Sequence, residues 1–405
     1  MSGVAAVQPV TVVGGTYREQ CAEPVGYALY GSGVRAAGIL TSLGHQVEFH
    51  TCVDRASRRE AESVLGCLGV AAVVITDRPQ PLSFRYATPV SPATWSSSLV
   101  AGSVEVAADV VVAFGMIETA WSVTGERVVI DPQHGDLEPM LDSTRATSLA
   151  VVLNANEAER QTGLGCIEAG HHIRGRGVDV VVIKRGALGG LVFSDAGVEA
   201  YGAIPTDRVR PIGSGDAFTA GFTHAWALDP SAPTEAARFG AQVAAAHSLI
   251  GIPQVSPELL ATLASPLTAI GETPRVYVAA PFFSLPERLL LEVVRGGLSD
   301  SGIAVFSPFH DVGLGGDEVA LADLDGLQAC HAVLALLDGA DPGTVFEVGW
   351  ATKASIPVIG FCGHPPAHEW TMLRGTGSTV TDDLPTAVYQ AGWAAIGEVY
   401  RREQS

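Results

Sequence analysis

A chain of 405 residues is too long for one ordinary core; at roughly 100–200 residues per domain it allows two or three. Hydrophobic residues make up 47% and charged residues 17%, which excludes a disordered chain and leaves ample material for packed cores. The formal charge of −19 excludes a nucleic-acid backbone or an anionic membrane as the main partner, while a local loop can still hold a small phosphate.

The first residues lack a basic n-region and run straight into an apolar strand, so no signal peptide is expected. Acids interrupt the most apolar stretches before they reach spanning length. The six cysteines are scattered without a C-x-x-C pair and read as buried thiols of a reducing compartment. A soluble cytoplasmic protein is the expectation.

In chain order, short β-branched runs at 10–13, 47–50, 110–114, 127–130, 150–153 and 178–184 predict strands. Most are apolar on both faces, as in a parallel sheet covered by helices. Helices are expected after Gly31, after Asn156 and over 234–249. Residues 80–95, rich in Pro, Ser and Thr, read as a less regular lid. After the connection 265–274 comes a second alternation. Strands are predicted at 275–280, 304–308, 332–337 and 357–361, with helices at 286–299, 321–330 and 344–353. The division falls near residue 270.

Pro211-Ile212-Gly213-Ser214-Gly215-Asp216-Ala217-Phe218 sets three small residues before a helix. Glycines let backbone N–H groups approach an anion, and the helix N-terminus favours negative charge. Asp216 there is placed to take a hydroxyl proton, or else simply caps the helix. The segment 153–163 leaves a strand for a helix, where Asn156 and Glu159, three apart, share a face suited to magnesium-bound water. Residues 181–190 are a strand breaking into a glycine turn after Lys184. Val13-Gly14-Gly15 ends the first strand, and Tyr30-Gly31-Ser32-Gly33-Val34-Arg35 opens a helix.

In order and spacing these segments resemble the ribokinase-like (PfkB-type) kinase family over residues 8–265. The resemblance implies a three-layer α/β domain over 1–268, with ATP and Mg2+ as cofactors. It makes Asp216 the general base and Gly213, Ser214 and Gly215 the anion hole. Asn156 and Glu159, matched to the N-x-x-E motif, would support Mg-ATP, with Lys184 and Gly186 near the nucleotide. Glu19, Gly31 and Gly33 would meet the acceptor. Glu19 stands where the family has an aspartate, Tyr30-Gly31 where it has two glycines, and Arg210-Pro211 where it has Asp-Thr.

In the second series, Asp338-Gly339-Ala340-Asp341-Pro342-Gly343-Thr344-Val345-Phe346-Glu347 follows an apolar strand. A carboxylate beside a cleft there could attack an anomeric carbon, or the segment is a charged turn and a half-exposed helix. With 276–284, 302–308 and 322–324 it resembles the nucleoside 2-deoxyribosyltransferase family over 274–365. The resemblance implies a smaller flavodoxin-like (Rossmann-like) domain over 274–405 and Glu347 as the nucleophile. Tyr277 would position Glu347, and Asp323 and Asp341 would contact the nucleobase. His331 replaces a common aspartate and reads as structural. His171 and His172 read as a solvated loop, and no direct protein metal site is expected.

Together these imply a bifunctional enzyme acting on small-molecule nucleosides and sugars, with a homo-oligomer expected. Two alternatives stay open: a nucleoside or nucleotide N-hydrolase in the second half, and a first half that only senses nucleotide. The loop 279–286, with two prolines and two phenylalanines, predicts nucleosides lacking a 5′-phosphate.

Overall fold

The computed structural model describes residues 9–96, 102–269, 271–363 and 370–404. The expected division at residue 270 lies outside them. The chain forms two compact units. The first holds 1–184, 190–204 and 210–264, and the second holds 265–405 with the short segments 185–189 and 205–209.

The first unit is built on a ten-stranded sheet. Its path runs Gly197–Tyr201, Gly190–Ser194, Val180–Lys184, Thr144–Asn154, Ala120–Asp131, Val110–Phe114, Pro9–Val13, Gln46–Asp54, Ala72–Arg78, and the tenth strand, Ser103–Ala107, pairs with Ala120–Asp131 off this path. Strands from Val180–Lys184 onward in this path pair in parallel, and the first two join antiparallel. Alternation within the valine runs splits the core in two. Val112, Val129, Val152 and Val182 face the helices Ser32–Ser42, Ser214–Thr223 and Pro233–Ile250. Their neighbours Val111, Val128, Val151 and Val181 face Leu137, Ala158, Ala169 and Ile173 on the other side. A strand apolar on both faces is thereby buried on both.

Several strands run longer than their apolar runs. The expected 127–130 becomes Ala120–Asp131, and 47–50 becomes Gln46–Asp54, because polar residues continue the hydrogen-bonded ladder past the core. The expected lid contains regular structure: Ser83–Tyr86 and Thr94–Trp95 form a four-stranded sheet with Tyr17–Cys21 and Gly26–Tyr30. These strands are short and mixed in polarity, so no apolar run announces them.

The second unit carries a five-stranded sheet in the order Ala304–Phe306, Arg275–Ala279, Ala332–Leu336, Val358–Phe361, Thr379–Thr381, all parallel. In chain sequence this is 2-1-3-4-5, the flavodoxin-like order, whose switch point lies between the strands Arg275–Ala279 and Ala332–Leu336. The helices Leu285–Asp300, Ala320–Gln328 and Pro342–Lys353 fall where expected. The last strand and the twenty-residue helix Leu384–Glu403 were not anticipated.

Candidate active sites

In the first unit the helix Ser214–Thr223 begins at Gly213, whose φ of 82° a side chain would strain. Ser214 turns its N–H and its Oγ onto the Pro211 carbonyl, at 3.0 and 2.8 Å. Beyond it in the first turn, the Gly215 and Asp216 N–H groups have no intrahelical acceptors, while the Ala217 N–H donates to the Gly213 carbonyl at 3.0 Å. Asp216 lies in that turn, buried, and accepts hydrogen bonds from Gln133 Nε2 at 2.7 Å and Arg35 Nη1 at 3.3 Å. Burial pushes its carboxyl up to about 7; Arg35 and Lys184 hold it down, while Asp131 and Glu19 push it further up.

A second group forms at the carboxyl ends of adjacent parallel strands. Lys184 Nζ lies 3.1 Å from Asp131 Oδ2, which also accepts from Thr219 Oγ1 at 2.7 Å. Burial disfavours the Lys184 ammonium, but Asp131 and Glu157 more than offset it and raise its pKa. Burial and Asp131 push the Glu157 carboxyl up in turn. Asp131 Oδ1 is buried without a partner among the described residues. Among the described residues the carboxyls Glu19, Asp131, Glu157 and Asp216 thus outnumber the cations Arg35, Lys184 and Arg160 around them. A polyphosphate needs added positive charge here, and an orphaned carboxylate oxygen suits a hydrated divalent ion.

The structure corrects one pair. Asn156 and Glu159 are exposed. The helix Ala155–Thr162 starts two residues earlier than the reading assumed, with Asn154 as N-cap. Asn154 Oδ1 accepts the Glu157 N–H at 2.8 Å, and Glu157 Oε2 accepts the Asn154 N–H at 2.7 Å. A shift of two residues is about 200° around a helix, so the N-x-x-E pair facing Lys184 is Asn154 and Glu157.

Glu19 is buried, and both of its oxygens accept from Arg35. Gly31 and Gly33 are closely packed: a Cβ on Gly31 would meet the Gly15 carbonyl at 2.6 Å, and one on Gly33 the Phe49 ring at 2.5 Å. Gly186 belongs to the second unit, where a Cβ on it would meet Ser301 Cα at 2.7 Å. Sequence reasoning missed Arg35, Asp131, Gln133 and Glu157. Arg35 had a signal, as a lone charge in the run Gly33-Val34-Arg35-Ala36-Ala37. Asp131 had another, as the polar residue ending a valine strand.

In the second unit Tyr277, on the strand Arg275–Ala279, is fully buried and donates its Oη–H to Glu347 Oε1 at 2.6 Å. Burial pushes the Glu347 carboxyl up to about 7; the Tyr277 bond opposes this, and Asp323 and Asp341 add to it. Burial and Glu347 also hold the Tyr277 phenol far above its ordinary range. Phe306 stacks on Tyr277 with ring centres 5.5 Å apart. Asp323 carries a buried, unpartnered Oδ1, and burial raises its pKa. Asp341 caps the helix Pro342–Lys353, its Oδ2 accepting the Thr344 N–H at 2.8 Å.

His331 is buried, and its Nδ1 accepts the Arg275 N–H at 3.1 Å, a structural position. His171 and His172 lie in the helix Cys166–Arg174 rather than in a loop, because Ala169, Gly170 and Ile173 give that segment a buried face.

Residues 107–248 match the family model of the pfkB family carbohydrate kinases, and residues 276–382 that of the nucleoside 2-deoxyribosyltransferases. No curated protein sequence matches the chain. Similar solved structures include the ribokinase of Thermotoga maritima, at 16% identity and a TM-score of 0.48 over 63% of this chain and 98% of that one. The nucleoside kinase of Methanocaldococcus jannaschii is 14% identical, with a TM-score of 0.46 over 59% of this chain and 90% of its own. The fructokinase of Vibrio cholerae O395, in its fructose, ADP and calcium-bound form, is 14% identical, with a TM-score of 0.48 over 64% and 99%.

Proposed function

We propose, for a chain that joins a pfkB-family carbohydrate kinase domain to a nucleoside 2-deoxyribosyltransferase domain, that its two halves (1–268 and 274–405) act on the same pool of nucleosides and sugars. The first phosphorylates a ribose-like hydroxyl from ATP. The second cleaves or transfers at an N-glycosidic bond. One observation, repeated in both units, carries the reading. A carboxyl pushed up to about 7 accepts a hydrogen bond from a fixed donor, Gln133 for Asp216 and Tyr277 for Glu347.

In the first site Asp216 takes the proton of the acceptor hydroxyl as its oxygen attacks the γ-phosphorus and the bond to ADP breaks. Gly213, Ser214 and Gly215 hold the migrating group at the helix N-terminus. Asn154, Glu157 and Asp131 would hold magnesium through water, and the bound ion supplies the positive charge this acidic pocket lacks. Lys184 faces the phosphates.

In the second site Glu347 attacks the anomeric carbon as the bond to the base nitrogen breaks, and Asp323 protonates the departing base. Tyr277 holds the Glu347 carboxylate in one orientation. A second base, or water, then releases the sugar. The glycosyl step comes first in this scheme, and the kinase traps the sugar or competes for the nucleoside.

Small molecules are the partners in this reading. Among the described residues no helix is long and apolar enough to cross a membrane. A cytoplasmic location and a homo-oligomer complete the proposal. Phe283, Leu321 and Phe346, at 70, 74 and 58% exposure, favour self-association through the second unit.

The test incubates the full chain with a deoxynucleoside and a second free base, with and without Mg-ATP. Base exchange independent of ATP and an ATP-dependent phosphorylated sugar or nucleoside are expected. Free base and free sugar without exchange would make the second domain a hydrolase.

A further inference from the structure

The helix Ser32–Ser42 buries Gly33, Val34, Ala36, Ala37, Ile39 and Leu40, and among them a single charge, Arg35, at 4% exposure. Its guanidinium is committed on one side only. Nη1 and Nη2 donate to the two oxygens of Glu19, and Nη1 also reaches Asp216 Oδ2 at 3.3 Å. Nε–H is buried and has no acceptor among the described residues. The group lies flat against Gly213, where a Cβ would collide with Nε, Cδ and Cζ together. The nearby His247 is pushed down to about 4 by burial and by Arg35, so it adds no competing cation at neutral pH.

A purely structural role accounts poorly for this arrangement. A buried ion pair contributes little beyond what apolar residues of similar volume would, and a helix this rich in Val, Ala, Ile and Leu has those residues at hand. The charge arrangement points the same way. Glu19 takes both terminal nitrogens of Arg35, and Nη1 also reaches the base, so the ion pair fixes one donor on the Asp216 carboxylate.

Resting on the kinase reading above, we infer that Arg35 belongs to the phosphoryl-transfer machinery. Its Nη1 positions the Asp216 carboxylate beside the Gly213 turn. Glu19 is then the residue that orients Arg35. The guanidinium is planar and held by Glu19, so Nη1 is set against Asp216 before the reaction begins.

Arg35→Met alone would strand the buried Glu19 charge, so the informative variant is Glu19→Gln/Arg35→Met in the full chain, with Arg35→Lys beside it. Thermal unfolding confirms that each is folded. The probes are Mg-ATP, ADP with aluminium fluoride as a phosphoryl-transfer analogue, and turnover with D-ribose and adenosine as hydroxyl acceptors. The double variant should bind Mg-ATP within about threefold of the parent yet bind the fluoride analogue at least ~10-fold more weakly, and its turnover should fall by about 10²-fold. Arg35→Lys keeps the charge but not the fork and should recover only a minor part. Unchanged analogue binding in the double variant would make the ion pair structural and overturn the inference while leaving the kinase reading intact. A parent protein that binds the analogue no better than ADP alone would overturn the kinase reading and Arg35's role with it.

Discussion

Asp216 and Glu347 face the same physical problem in different units: a carboxyl taken out of water loses its charged form unless a donor holds it. Gln133 and Arg35 do this for Asp216, and Tyr277 does it for Glu347. Both carboxyls stand at about 7, so both must lose a proton to act as base or nucleophile. Kinase and glycosidic kcat/KM should therefore each fall as pH drops through about 7, tenfold per unit on the acid limb, as pH–rate profiles will read. Asp216→Asn should lower ATP-dependent phosphorylation by about two or more orders of magnitude. The sign for stability is opposite. A carboxyl whose folded pKa is raised binds its proton more tightly when folded, so its ionisation weakens the fold as pH rises from about 4 to about 7. Asp216→Asn should accordingly melt no lower than the parent at pH 8, which calorimetry checks; a large drop would mean that Asp216 chiefly serves the fold.

At the scale of elements, the loop Ala280–Ser284 is stopped by a capping box at the helix Leu285–Asp300. The Ser284 N–H donates to Glu287 Oε2 at 2.6 Å, and Arg288 Nη1 reaches the Phe282 carbonyl at 3.4 Å. A carboxylate already sits on this helix start, and the guanidinium is turned back on the loop, so a substrate phosphate finds like charge. Matched nucleosides should therefore beat their 5′-monophosphates in kcat/KM for base release, and a clear preference for the monophosphates would reverse both the specificity and the proposed order of steps. A second element-level contact joins His45 to His224 at the start of the π-turn His224–Leu228, Nε2 to Nδ1 at 2.7 Å. Burial lowers both pKa values, and for His45 the neighbouring ring adds to it. Folded pKa values below about 6.5 mean that this contribution is present above that pH and lost as pH falls through the depressed values. His45→Gln should flatten the acid-side loss of Tm, which melts between pH 7 and pH 5 will measure. The elements themselves were largely legible, because valine runs of strand length and glycines at their ends write the parallel layers directly. Helix phase was less legible. Asn154-Ala155-Asn156-Glu157-Ala158-Glu159 offers two overlapping N-x-x-E readings, and only the N-cap at Asn154 decides which faces inward.

Across the whole molecule, each unit has its own sheet, its own core cluster and its own perturbed carboxyl. The account therefore predicts separable activities: Glu347→Gln should abolish base release and exchange while phosphorylation persists, and Asp216→Asn should do the reverse. What the chain order did not reveal is long-range. Arg35, Glu19, Gln133 and Asp216 are brought together from three elements and the turn after Ala120–Asp131, and no local pattern links position 35 to position 216. Two catalytic units in one chain, acting on related small molecules, form the central claim. Its most direct test is mass spectrometry of one reaction: the parent protein with deoxyinosine, free adenine and Mg-ATP carrying labelled oxygen in the γ-phosphoryl group. The account predicts deoxyadenosine and hypoxanthine, together with a sugar or nucleoside bearing the labelled phosphoryl group. Hypoxanthine release unchanged from the protein-free control, or no labelled phosphoryl product, would contradict it.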